Sequence, residues 1–167
     1  HVDVVNALLS SDGIEVNQTG TNSGTPLWIA CDKGHVDVVS ALLKTEGVDV
    51  NLAQNGCTPL YMACQNGHLD IVDSLLSVER ININQAKENG GSPLFIACGK
   101  GYVNIVRTLL AADGVDVNHA TKDFGRTPLW IACGKGDINI VSALVDVNGI
   151  NVNQADNNQT TPLSVAA

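Results

Sequence analysis

The chain has 167 residues, 44% of them hydrophobic, which supports a folded domain with a sizeable core and excludes intrinsic disorder. A formal net charge of −8, from 9 Lys and Arg against 17 Asp and Glu, excludes general affinity for nucleic acid, which needs cations to displace counterions. No apolar run nears the roughly 18 residues of a membrane span, and His1-Val2-Asp3-Val4 shows no secretory pattern, so no membrane insertion is expected.

In chain order, residues 1–9 read as an amphipathic helix. A new helix is predicted at Thr25-Pro26-Leu27, because a hydroxyl residue caps a free N–H and proline suits the first turn. It carries Ile29-Ala30-Cys31, whose small residues let a neighbour approach, and breaks at Gly34. A second helix follows, with Val36, Val38, Val39, Leu42 and Leu43 on one broad face. Val48-Asp49-Val50-Asn51 reads as a short extended stretch.

The same order then returns. Helix starts fall at Thr58-Pro59-Leu60, Ser92-Pro93-Leu94, Thr127-Pro128-Leu129 and Thr161-Pro162-Leu163, and all five prolines lie in this one column. Met62-Ala63-Cys64, Ile96-Ala97-Cys98 and Ile131-Ala132-Cys133 match the small-residue segment, and Gly67, Gly101 and Gly136 match the break. Ile81-Asn82-Ile83-Asn84, Val115-Asp116-Val117-Asn118 and Ile150-Asn151-Val152-Asn153 match the extended stretch.

These columns resemble the ankyrin repeat family: Thr-Pro-Leu, Ala-Cys, Gly-His, a helix ending Leu-Leu, then Asp-Val-Asn. Gly34-His35 and Gly67-His68 carry the pattern, whereas Tyr102 and Asp137 replace the usual His. The resemblance covers the whole chain. It implies an all-α solenoid of stacked helix-turn-helix units with projecting loops or β-hairpins and a concave binding side. The expected organisation is one domain, with complete repeats at 23–55, 56–89, 90–124 and 125–158 between partial repeats at 1–22 and 159–167. Residues 1–9 then read as a second helix without its first, and 161–167 as a first helix without its second. A segment of a longer array is expected, with half-repeats able to stack head to tail between molecules.

Four cysteines, Cys31, Cys64, Cys98 and Cys133, follow the repeat. Equivalent positions in a stack lie about 10 Å apart, the usual spacing of packed helices, too far for disulfides or shared metal ligation. Core packing in a reducing compartment is the expectation, hence cytoplasm, with the nucleus also compatible. Cys57 lies outside the series, at a tip, where exposure is expected.

The resemblance places Thr21, Asn22 and Gly24, Gln54, Asn55 and Cys57, Glu88, Asn89 and Gly91, Asp123, Phe124 and Arg126, and Asn157, Asn158 and Thr160 at projecting tips. It places Asp32-Lys33, Gln65-Asn66, Gly99-Lys100 and Gly134-Lys135 on the concave side. These residues vary while the framework is fixed, which suits partner contacts. Phe124 stands out as a large apolar tip residue, and Lys33, Lys100, Lys135 and Arg126 make this side less acidic.

Trp28, Tyr61, Phe95 and Trp130 share one column. They read either as a packed ladder between repeats or as an aromatic strip partly open to a partner. The column Asn17, Asn51, Asn84, Asn118 and Asn153 is read as a recurring hydrogen bond to turn backbone. No Ser/His/Asp set or carboxylate pair stands outside the repeat columns, so neither catalysis nor a cofactor or metal is expected. The expected function is binding of another protein or peptide through groove and tips. A structural array with no dedicated partner, or the repeat segment of a larger enzyme or channel, are the alternatives.

Overall fold

The computed structural model describes residues 1–20 and 24–167. Among them the chain forms ten helices and no strands: α1 (Val2–Leu9), α2 (Pro26–Lys33), α3 (Val36–Leu43), α4 (Pro59–Asn66), α5 (Leu69–Leu76), α6 (Pro93–Lys100), α7 (Val103–Ala111), α8 (Pro128–Lys135), α9 (Ile138–Val145) and α10 (Pro162–Ala166). They fall into two compact units, His1–Asn82 and Ile83–Ala167.

Each start is fixed locally. The hydroxyls of Thr25, Thr58, Ser92 and Thr127 accept the backbone N–H three residues on, each at 3.1 Å. Proline occupies the first turn of these helices, where its missing N–H costs nothing. Gly34, Gly67, Gly101 and Gly136 end them in the left-handed region, φ 70 to 81°. Gly34 is further constrained, because a Cβ there would stand 2.7 Å from the His68 ring. The second helices start at His35, His68 and Tyr102 without a side-chain cap. Asp137 is different: its carboxylate accepts from the N–H groups of Asn139 (3.1 Å) and Ile140 (3.2 Å). The departure from His at this position therefore supplies a better cap.

In the first unit α2 packs on α3 and α4, and α3 lies between α1 and α5. The core between these layers holds Leu27, Val39, Leu42, Leu60, Ile71 and Leu75, all sealed from solvent. In the second unit α6 pairs with α7 and α8 with α9, α8 packs between α6 and α10, and α7 packs on α9. Its core is Leu94, Ile105, Leu109, Leu129, Ile140 and Leu144.

The stretches expected to be extended form no strand among the described residues, and the last two residues of each are in a turn. Asparagines tie each to the next. Asn17 donates to Gly47 O (2.7 Å) and accepts from Asp49 N–H (2.8 Å), and Asn51 does the same with Arg80 O and Asn82 N–H, both at 2.8 Å. In the second unit Asn84 bridges to Gly114 and Asp116, and Asn118 to Gly149 and Asn151. One side chain thus satisfies a donor and an acceptor of the following repeat's turn.

Candidate functional site

The tips are built differently in the two units. In the first, Gln54 and Cys57 exchange both backbone hydrogen bonds at 3.0 Å, the only bridge among the described residues. Asn55 (φ 50°) and Gly56 (φ 73°) occupy the turn between them, so Gln54-Asn55-Gly56-Cys57 is a two-residue hairpin. The Asn-Gly pair is the sequence signal for it. The hairpin also corrects the expectation for Cys57, which is 8% exposed because the turn folds it back under the stack. Thr21 and Asn22 lie outside the described residues.

In the second unit three tips follow one another. Thr121 N–H donates to Arg126 O (2.9 Å) and Gly125 N–H to Thr121 O (2.8 Å), closing the middle tip. Neighbouring tips are joined through backbone: Lys122 N–H to Asn89 O, and Asn157 N–H to Phe124 O, both at 2.8 Å. Asn157 Nδ2 adds a bond to Asp123 O (3.1 Å). Gly90 and Gly125 have positive φ, and a Cβ on either would collide with the next tip. These loops are held in place before any partner arrives.

Glu88, Asn89, Asp123, Asn157 and Asn158 are exposed at the tips, as are Lys33, Lys100 and Lys135 at the inter-helix turns. Phe124 is 53% exposed. The turn residues of the first unit are engaged with one another. Asp32 takes Asn66 Nδ2 on both its main-chain oxygen and Oδ1 at 3.0 Å, and Lys33 Nζ lies 3.0 Å from Asp32 Oδ2. His68 Nε2 is 3.3 Å from Asp32 O. Gln65 beside them is half-buried. In the second unit the matching positions are Gly99-Lys100 and Gly134-Lys135, with no ion pair at either lysine among the described residues.

The aromatic column divides. Tyr61 and Trp130 are 6% and 7% exposed, so they form no open strip, while Trp28 and Phe95 are half-buried. Both indoles donate to the following tip, Trp28 Nε1 to Cys57 O (2.8 Å) and Trp130 Nε1 to Thr160 O (3.0 Å). The bond satisfies the single donor of each ring, and at Trp130 the ring is buried as well.

Arg126 lies on this layer. Its guanidinium carbon is 4.1 Å from the Trp130 ring centroid and 4.8 Å from that of Phe124. Its Nε is 3.8 Å from Oδ2 of Asp156, whose side chain is 2% exposed. Asp156 Oδ1 accepts from the N–H groups of Asn158 and Thr160, both at 2.9 Å. Sequence reasoning singled out Phe124 and Arg126 but missed Asp156, which carries no signal beyond its place before an Asn-Asn pair.

No group of three or more His, Cys, Asp or Glu gathers at metal-binding distance among the described residues. Burial pushes the Cys31 thiol up to about 12, and burial with the Asp137 carboxylate pushes Cys98 up as well. Thiols held protonated in this way are poor nucleophiles. No helix among the described residues is long and apolar enough to cross a membrane.

The charge is uneven. Residues 1–82 carry 3 Lys and Arg against 10 Asp and Glu, a net −7, whereas residues 83–167 carry 6 against 7, a net −1. A family model described as ankyrin repeats (3 copies) matches residues 1–87, 46–121 and 94–167. A comparison with curated proteins finds no match.

Proposed function

The chain belongs to the ankyrin repeat family, and from that premise we propose that it is a protein-interaction module whose tips and inter-helix turns contact a partner without catalysis. Such repeats generally serve as protein-interaction modules. The observation that carries the reading here is Phe124, half exposed at a tip fixed by backbone hydrogen bonds on both sides. A large apolar side chain held in solvent on a rigid loop suits an interface anchor. The unpaired Lys100 and Lys135 add charge that would orient a partner. The proposed contact set is Asp32, Lys33, Gln54, Asn55, Gln65, Asn66, Glu88, Asn89, Lys100, Asp123, Phe124, Arg126, Lys135, Asn157 and Asn158, within repeats bounded at 23–55, 56–89, 90–124 and 125–158. The protonated, buried thiols suit a reducing compartment.

The double variant Phe124→Ala/Lys100→Ala tests this surface. We expect its thermal midpoint to stay near that of the parent, because surface changes usually fall within about 0.5 kcal/mol. Capture of a partner on the immobilised chain, identified by mass spectrometry, should drop sharply. Capture that survives both changes in a folded protein would show that the partner binds elsewhere.

A second reading, self-association, is favoured by one observation. Leu163 is 80% exposed, yet Leu129 and Leu94 at the same motif position are 2% exposed. In the first unit α1 buries none of its residues, and Val5, Leu8, Leu9, Ile14, Val16, Pro26 and Leu42 line an apolar cleft of about 130 Å³. Entry of α10 from a second copy into this cleft would be a head-to-tail contact that does not close. Sedimentation should then show mass rising with concentration, and Leu163→Asp should return it to the monomer. A monomer mass at every concentration rules the contact out.

A further inference from the structure

The Arg126 cluster has a property that packing alone does not need. Its Nε is buried and lacks a hydrogen bond, the one such side-chain atom among the described residues, since 3.8 Å to Asp156 is an ion pair too long to be one. The terminal guanidinium nitrogens are not among the buried unpaired atoms and make no hydrogen bond to described residues, so they meet solvent; the side chain is 33% exposed. The guanidinium stacks over both the Phe124 and the Trp130 ring, and the two contacts favour one orientation of its plane. A planar fork fixed in this way, with its outer donors free, is the geometry that takes a carboxylate through two parallel hydrogen bonds.

We propose that Phe124, Arg126, Trp130 and Asp156 form a clamp for a carboxylate in a partner peptide, an acidic residue with an apolar neighbour. The inference rests on the protein-binding reading and adds its chemistry. Asp156 is the counter-charge that keeps the fork oriented, and it is itself held by two backbone N–H groups. Phe124 offers the apolar neighbour a surface beside the charge. The clamp stands in the unit of net −1, where an acidic segment meets little overall repulsion. The flanking carboxylate of exposed Asp123 favours a single carboxylate over a polyanion such as nucleic acid.

The test uses the full chain, labelled with nitrogen-15, and a blocked Gly/Ser peptide carrying one Glu-Leu pair, compared with a Gln-Leu peptide and with inorganic phosphate. We expect the Arg126 Nε–H and Trp130 Nε1–H resonances to shift saturably with Glu-Leu. Gln-Leu should bind about tenfold more weakly, because the charge-assisted pair is lost. Arg126→Gln should abolish the response, and Arg126→Lys should retain only part, since a point charge cannot form the fork. Circular dichroism of both variants checks the fold, and the comparison of peptides on the parent needs no variant. Equal responses to the two peptides, no response to Glu-Leu, or an equal response to phosphate would each overturn the clamp. Partner capture undiminished in Arg126→Gln would also overturn it while leaving the protein-binding reading intact. A clamp response in a chain that captures no partner would do the reverse.

Discussion

Replacing Trp130 by alanine is expected to destabilise the protein by about 3–5 kcal/mol, the range for truncating a buried Trp. Three contributions add. The ring is 7% exposed, so its deletion leaves a cavity on α8. Its N–H bond to Thr160 O is lost, which leaves an acceptor of the next tip without its partner. The shelf under Arg126 also disappears. Repeats stabilise one another through neighbours only, so the C-terminal helices of this unit should melt at lower denaturant than the rest. Urea unfolding followed by far-ultraviolet circular dichroism would show an early phase or a broadened transition. Trp130→Phe keeps most of the apolar area and should lose only about 1 kcal/mol, the worth of the hydrogen bond. If alanine costs no more than phenylalanine, the ring is not the packing element described above.

Leu109→Ala should cost about 2–5 kcal/mol by a different route, a cavity in the purely apolar core. Leu109 is fully buried on α7, three and four residues (about one turn) after Val106 and Ile105 and on their face. It has no polar partner, so the whole loss is transfer and cavity energy. The spread reflects how far the surrounding side chains can collapse into the space. Arg107, exposed on the same helix, is the control: its alanine variant should stay within about 0.5 kcal/mol of the parent. Chemical denaturation of the two variants side by side checks both. Equal midpoints would contradict the burial of Leu109.

Both predictions lie on columns visible in the sequence, but to different depths. That Leu109 is core follows from helical periodicity, since residues three and four apart share a face whatever the neighbours are. That Trp130 is buried does not follow from the column, which favours a packed ladder but also allows an open strip. Its neighbours decide. Trp130 and Trp28 each find a carbonyl of the next tip within reach of the indole N–H, yet only Trp130 is sealed, so packing around the ring and not the bond decides burial. Phe95 has no donor and sits half-buried in the same column.

The candidate site shows the same division. Phe124 was legible as an apolar residue on a polar tip, and it is exposed. Cys57 was misplaced as exposed, because the Asn55-Gly56 turn reverses the chain and carries it under the first unit's indole. Asp156 was invisible: its role comes from Arg126, thirty residues away, and an aspartate before Asn-Asn looks like any turn residue.

The sequence by itself determined the helices, their starts and stops, and the order in which they recur. These depend on interactions within a few residues, a hydroxyl on the N–H three places on, a proline in the first turn, a glycine in the left-handed region. Family membership follows from those recurring columns. Only the tertiary structure decided which member of a column is sealed, which asparagine bond spans to the next turn, and which arginine is held between two rings. Those outcomes depend on contacts about thirty residues apart, where one repeat meets the next, and no local pattern encodes which side chain will be found there.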